Sequence, residues 1–220
     1  MNIIKFIVIA TLLSFAGLTQ AATPPKPQVE YSADSVLETA DVKMQGHVNY
    51  TPTRERREMV MGRGGEKIFM ILRHDRKLVW TLMPSEKMYI EANINQTNSS
   101  ASPDTSKYKM EHTVIGPETI NGISTTKSKV VMTGPKGEKM DGYMWLSKEN
   151  IMVKIDATAS DKNKKHRFMT ELSNLKIGKQ DAKLFEIPAD YEKLSMPGMP
   201  GQGGSGGAMN MKDMMKMMKE

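Results

Sequence analysis

The residue types that most often perform catalysis are few and scattered in this chain. It contains no Cys and four His (His47, His74, His112 and His166), and no two of them have the H-x-x-x-H spacing. A cysteine nucleophile and the common Cys-based metal sites are therefore absent. Gly62–Gly65 is not a phosphate-binding loop, because no Lys-Ser/Thr pair follows it and no helix is expected there. The sequence predicts a protein without catalytic activity and without a cofactor.

Methionine is the unusual residue type, with 21 in the chain. On a helix, Met211, Met214, Met215 and Met218 fall on one stripe, and thioether sulfur is a soft ligand that selects Cu(I). One hypothesis is therefore a copper-handling or protein-interaction factor that acts through this tail. The alternative is a disordered tail, or one that contacts a membrane surface or a partner, since no His joins the cluster and Lys side chains lie away from the stripe.

Most other methionines lie in predicted strands, where they have two interpretations. They are ordinary core residues, or they line an adaptable apolar cavity, since Met is flexible and accepts varied apolar shapes. The predicted ligand-binding face comprises Met59, Met61, Leu78, Trp80, Leu82, Tyr89, Tyr143 and Trp145.

The elements that would position these side chains are short strands. Residues 42–50 alternate apolar and polar, residues 68–72 are apolar on both faces, and further apolar runs follow at 78–83 and 87–90. Predicted strands resume at 123–133, 140–146, 151–158 and 166–177. Helical signals are limited to one short turn at 181–185. Residues 95–107 are polar and predict a loop that is either a mobile lid or disordered. Strand spacings of this kind predict an antiparallel sheet or barrel.

The N-terminus has the three parts of a secretory signal peptide. Lys5 supplies a positive charge, an apolar run extends from Phe6 to Leu18, and small residues place cleavage after Ala21. An apolar run of this length is short of the roughly 20 residues that span a membrane. The sequence thus predicts export to the periplasm of a Gram-negative envelope, without lipidation or disulfides because Cys is absent.

The formal net charge of +6 and the pI near 9.3 make the chain basic. In the envelope such a protein could contact anionic lipid headgroups or an acidic partner. Nucleic-acid binding is not expected, because aromatic residues are not interleaved with the basic ones.

Changes in composition divide the chain into four parts. They are a signal peptide at 1–21, a Pro-rich spacer at 22–30, a β domain at 31–194, and a flexible Gly/Met-rich tail at 195–220.

One stretch resembles a known family. Residues 74–91 (HDRKLVWTLMPSEKMYIE) resemble the strand–turn–strand core of LolA/LolB-like lipoprotein carriers, and more closely the uncharacterised DUF4412 branch of that superfamily. Residues 121–127 and 184–191 are similar to the same branch. Together the likeness covers most of 31–200.

The resemblance implies a mainly β fold, a strongly curved and incompletely closed antiparallel barrel, with helices that cap an apolar concave face. It implies binding of acyl chains or lipoproteins without catalysis, and an Arg that controls lid closure, which corresponds to Arg57 or to Arg56. The chain departs from the family in one respect, because residues 95–107 and 178–185 are poor helix candidates.

Overall fold

The chain folds into one curved antiparallel sheet. The computed structural model describes residues 24–61, 65–94, 109–135, 137–161 and 164–194, with the backbone of residues 19–20. Within these ranges the strands are β1 (Thr19–Gln20), β2 (Tyr31–Thr39), β3 (Lys43–Thr51), β4 (Arg54–Met61), β5 (Glu66–Arg73), β6 (Leu78–Met83), β7 (Met88–Asn93), β8 (Lys109–Ile120), β9 (Ile123–Thr133), β10 (Lys139–Leu146), β11 (Met152–Asp161), β12 (Lys164–Ile177) and β13 (Glu192–Lys193). The one helical element in these residue ranges is a 3₁₀ turn, Ala182–Phe185.

Two meanders are joined edge to edge to make the sheet. Its order is β1-β8-β9-β10-β11-β12-β2-β3-β4-β5-β6-β7-β13. Strands β2–β7 follow one another, strands β8–β12 do the same, and β12 returns to pair with β2. In the described strands β7 and β8 lie near opposite ends of this order, so the sheet does not close into a barrel.

The register sorts the side chains onto two faces of different character. Side chains alternate along each strand, so residues paired across strands share a face. On one face of the central strands most side chains are charged. Cross-strand ion pairs cover this face, such as Lys154–Glu171 at 2.6 Å and Arg167–Asp156 at 2.8 Å. The other face carries mainly apolar residues from the same strands.

Two glycines show that the sheet curls toward the apolar face. A Cβ built on Gly46 would lie 2.0 Å from the carbonyl oxygen of Glu58 on the next strand, and one on Gly142 would lie 2.2 Å from that of Asp156. Both positions belong to the apolar face, where neighbouring strands bend too tightly for a side chain. We therefore call the apolar side the concave face and the charged side the convex face.

One core cluster closes the end of the concave face where β2 and β3 meet β11 and β12. Tyr31 and Tyr50 stack with their ring centroids 5.0 Å apart. The remaining buried members are Ala33, Val48, Ile151, Val153 and Leu172.

The second core cluster lies on the convex face, beneath residues 178–194, which we call the C-terminal strap. The strap leaves the end of β12 and crosses β3 to β6, where Asn49 donates to Gln180 (3.0 Å) and Arg56 donates to the Leu184 carbonyl (3.1 Å). Its β13 then pairs in parallel with β7. Phe185 of the strap is fully buried against Ile71, Trp80 and Leu82.

A buried arginine holds the strap in place. Arg73 exposes 4% of its side chain and donates two hydrogen bonds to Asp75 (3.0 and 2.8 Å), one to Glu186 (2.7 Å) and one to the Phe185 carbonyl (3.3 Å). Its guanidinium also lies 5.5 Å from the centre of the Trp80 ring. Two carboxylates satisfy the buried charge, as burial of an arginine requires.

The predicted fold class is confirmed, and the structure adds strands that the sequence did not indicate. The runs at 68–72, 78–83, 123–133, 140–146 and 166–177 all lie in strands, the run at 151–158 lies in β11 from Met152 onward, and the short turn at 181–185 contains the 3₁₀ turn. The strands β2 and β8 were not predicted. The signal-peptide run up to Leu18, the loop at 95–107 and the tail at 195–220 lie outside the described residues.

Truncation of the strap anchor should destabilise the domain strongly. Phe185→Ala removes a fully buried ring, and such changes typically cost about 3–5 kcal/mol of unfolding free energy. Urea denaturation followed by far-UV circular dichroism measures this loss. The control is Lys183→Ala, an exposed residue of the same turn, which should change stability by less than about 0.5 kcal/mol. Equal stability of the two variants would show that the strap does not contribute to the core.

Stability should fall as the solution becomes acidic. Arg73 lowers the pKa of Asp75, the Lys193 and Trp80 hydrogen bonds lower that of Glu91, and Arg167 lowers that of Asp156. Because the unfolded chain then binds more protons, the stabilisation is complete above the unfolded pKa values near 4 and is lost as pH falls through the folded ones. Denaturant titrations between about pH 6 and pH 2 test this, and Glu91→Gln should reduce the slope. An unchanged slope in that variant would contradict the assignment of Glu91.

Candidate ligand-binding face

The concave face is lined by methionines from both halves of the sheet. Their positions follow from the register, in which Met59 lies beside Gly46 and Ile68, Met70 lies opposite Arg57, and Met83 lies opposite Met88. The methionines with this orientation are Met44, Met59, Met70, Met83, Met88, Met110, Met132, Met140 and Met144. All are half-buried except Met144, which is fully buried. The face is therefore apolar, flexible in its side chains and partly open.

Small residues lie between these methionines and leave room above the sheet. Gly142 and Ala157 face each other on β10 and β11, and Ala159 lies opposite Met140. The larger Ile155 and Phe168 alternate with them and are half-buried. A surface of large flexible side chains interrupted by short ones forms a shallow apolar trough suited to a chain-like ligand.

One ion pair interrupts the apolar surface. The Arg57 guanidinium bonds to the Glu55 carboxylate, and Glu55 exposes 12% of its side chain while Arg57 exposes 55%. The Glu55 charge raises the pKa of Arg57, and burial together with that charge raises the pKa of Tyr31. Arg57 therefore stays positively charged within the apolar surface, between Val48 and Met70.

The structure separates the residues of the predicted binding face. Leu78, Trp80, Leu82 and Tyr89 project from the convex face and belong to the cluster that Phe185 fills. Trp80 is buried, and its indole nitrogen donates to Glu91 at 2.9 Å. The strap packs against these side chains and covers them.

Tyr143 and Trp145 also project from the convex face, on β10. The Lys127 ammonium lies 5.1 Å and 4.9 Å from the two ring centres, and the Lys154 ammonium lies 5.5 Å from that of Trp145. Of the predicted set, Met59 faces the trough, while the side chain of Met61 lies outside the described part of the molecule. Periodicity alone could not separate the faces, because β6 is apolar on both sides.

The two arginines considered for lid control also lie on opposite faces. Arg57 is on the concave face, opposite Val48 and Met70. Arg56 is on the convex face, where its guanidinium lies 4.0 Å from the centre of the Phe69 ring and donates to the strap. The two adjacent arginines therefore have different surroundings. Arg56 bonds to the strap, and Arg57 lies on the face of the trough.

No group of three or more His, Asp or Glu side chains in the described residues is placed to hold a metal ion. None of the helical structure in these ranges is long and apolar enough to cross a membrane. A surface depression of about 450 Å³ lined by Lys109, Glu111 and Val131 lies on the convex face at the β8 edge, and its charged lining does not suit an apolar ligand. The tail methionines stay a prediction, because they lie outside these residues.

The solved structures that this chain resembles include uncharacterised and named proteins. An uncharacterised conserved protein from Thermus thermophilus has a TM-score of 0.51 at 14% identity, over 76% of this chain and 90% of that one. MucB of Pseudomonas aeruginosa, solved with MucA, has a TM-score of 0.47 at 12% identity, over 81% of this chain and 62% of that one. A putative outer membrane lipoprotein-sorting protein domain from Vibrio parahaemolyticus has a TM-score of 0.39 at 9% identity, over 73% and 91%. The Thermus likeness supports the fold.

Sequence comparison identifies the family. No curated protein matches the chain, but the family model described as a domain of unknown function, DUF4412, matches residues 36–154. This range runs from β2 into β11 and includes the methionines of the trough. The resemblance found in residues 74–91 is confirmed, and the chain belongs to the DUF4412 family.

Proposed function

We propose that this protein is a binding protein of the bacterial envelope that holds an acyl chain, of a lipid or a lipoprotein, in the trough of its concave face without catalysis. The observation that carries the proposal is the set of half-buried methionines from both halves of the sheet, on the side toward which an open sheet curls. The predicted signal peptide supports the envelope location.

The energetics of such a surface favour an acyl chain. Each methylene removed from water contributes about 0.8 kcal/mol, so ten buried methylenes supply about 8 kcal/mol before the cost of ordering the chain is subtracted. Methionine side chains adapt to bent or branched chains with little steric penalty. This chemistry suits a carrier that accepts ligands of varied length.

Among the predicted site residues, we propose that Met59 contacts the ligand and that Arg57 controls its entry. Leu78, Trp80, Leu82 and Tyr89 would support the trough from the opposite side, by packing the strap against β5–β7. Tyr143 and Trp145 would act in the same indirect way on β10. We draw no catalytic role from any of them.

Polar substitution on the trough should weaken acyl binding. Met59→Gln with Met70→Gln places two amides on the concave face, and we expect an apolar probe to bind at least about tenfold more weakly, since each lost 1.4 kcal/mol is tenfold. A fluorescent fatty acid whose emission rises in apolar surroundings measures this. The matched control is Met169→Gln, a half-buried methionine of the convex face of β12, which should bind as the wild type does.

Native mass spectrometry of the protein purified from its own envelope provides the second readout. We expect a lipid to co-purify with the wild type and the Met169 variant but not with the double trough variant. Intrinsic tryptophan fluorescence is a poor reporter, because Trp80 and Trp145 are buried on the convex face. If no lipid co-purifies and the probe binds all three proteins equally, the proposal is wrong.

Removal of the Arg57–Glu55 ion pair should change ligand exchange. Arg57→Met together with Glu55→Gln removes both charges, so that no buried carboxylate is left unpaired, and it should slow release of a bound acyl probe because the trough loses its charged interruption. Stopped-flow displacement measures the release rate. Arg56→Met is the control: it removes the bond to the strap and should lower stability while leaving the release rate unchanged. The reverse pattern would assign entry control to Arg56.

A further inference from the structure

Three methionines form a row across neighbouring strands at one end of the concave face. Met110 on β8 pairs with Met132 on β9, and Met132 pairs with Met140 on β10. Residues directly opposite each other in an antiparallel pair have Cβ atoms about 4.5–5.5 Å apart. All three are half-buried, so the three side chains lie side by side on one face and are partly accessible to solvent.

A histidine with an unpartnered nitrogen lies beside this row. His112 follows Met110 by two residues on β8 and so shares its face, diagonal to Met132. Its Nδ1 atom is buried and has no hydrogen-bond partner, a state that costs about 1–3 kcal/mol in a folded protein. The positions across from His112 are Val130 on β9, which carries no side-chain acceptor or donor, and Gln20 on β1. Gln20 precedes the predicted cleavage after Ala21, so the mature chain would not contain it. Among the described residues, this nitrogen ligand therefore has no partner.

The donor set selects a soft metal. Thioether sulfur and imidazole nitrogen favour Cu(I), whereas Mg²⁺ and Ca²⁺ require oxygen ligands. The nearby carboxylates of Glu111 and Asp141 alternate onto the convex face, and Glu111 pairs there with Lys109 at 2.6 Å. No carboxylate in the described residues of β8–β10 faces the row, so these strands offer no oxygen ligand to a hard cation.

The spacing of the strands allows the three sulfurs to reach one ion. β8 and β10 lie about 10 Å apart, two strand spacings, and the flexible side chains of Met110 and Met140 can lean toward Met132 between them. The curl of the sheet toward this face, marked by Gly142 on β10, shortens that distance further.

We propose that Met110, Met132 and Met140, with His112 as the nitrogen ligand, bind one Cu(I) ion. This site is distinct from the tail methionines, and it lies on β8–β10, away from Met59 and Met70 on β4 and β5. It goes beyond acyl binding and does not depend on it.

The test uses the full chain with the tail thioethers removed. In a background in which all eight methionines of residues 195–220 are changed to Leu, anaerobic titration with Cu(I) against a chromophoric Cu(I) chelator should show one bound ion. Adding Met110→Leu, Met132→Leu and Met140→Leu should weaken binding at least about 100-fold, a loss of about 2.7 kcal/mol. Leu preserves apolar volume at small cost to stability.

A matched control distinguishes the row from methionine content in general. Met59→Leu, Met70→Leu and Met83→Leu remove the same number of thioethers from the other half of the concave face and should leave Cu(I) affinity unchanged. His112→Phe should weaken it by about tenfold. X-ray absorption at the copper edge should show sulfur and nitrogen scatterers in the background protein, a readout that requires no substituted row.

Three results would overturn the proposal. They are a background protein that binds no Cu(I), a row variant that binds as tightly as the background, and a control variant that loses affinity equally. If the row variant does not fold by circular dichroism, the single Met132→Leu variant and the absorption spectrum decide in its place.

Discussion

The pairing of β12 with β2 is the interaction on which the rest of the molecule depends. Each meander alone, β2–β7 or β8–β12, is a sheet with both edges open. Their union runs from the Phe168–Thr39 pair to the Ile177–Tyr31 pair and contains a bulge between Ser173 and Lys176. Asp34 reinforces it by accepting a hydrogen bond from Asn174 (2.7 Å) and sharing one with His47 (2.8 Å). The core of Tyr31, Val153 and Leu172 exists only once this seam has formed, which makes folding dependent on a contact between distant parts of the sequence.

Much of the fold could be predicted because most strands carry a clear pattern and turn signals bound them. The exceptions have physical causes. β2 alternates only at its start, where Tyr31 and Ala33 are buried, and later residues are half-buried on both faces. β8 is paired along its length on one side only, contains Gly116 and Pro117, and exposes several residues, so it has little of the apolar periodicity that marks a buried strand.

The candidate site was less accessible to sequence reasoning than the fold. Aromatic residues indicated a cavity wall, but in β6 both the Trp80 face and the Val79 face are apolar, and only the strap decides which is covered. The strap is held on the Trp80 face by Phe185 and Arg73, which are more than 100 residues apart in the chain. The methionines were recognised as either core or cavity residues, and the register assigns them to one surface because it fixes which alternate positions meet across strands.

Among the described strands, β7 and β8 are not paired with each other, and this has a mechanical consequence. A closed barrel has a fixed radius, because any expansion must break a ladder of hydrogen bonds. In this molecule the two meanders are joined on one side only, at β12 and β2. The radius of the sheet can therefore change through small changes of twist spread over many strands. Such a change needs no backbone hydrogen-bonded pair to break. The size of a ligand that the proposed trough could hold would then depend on the elasticity of the sheet as well as on its side chains.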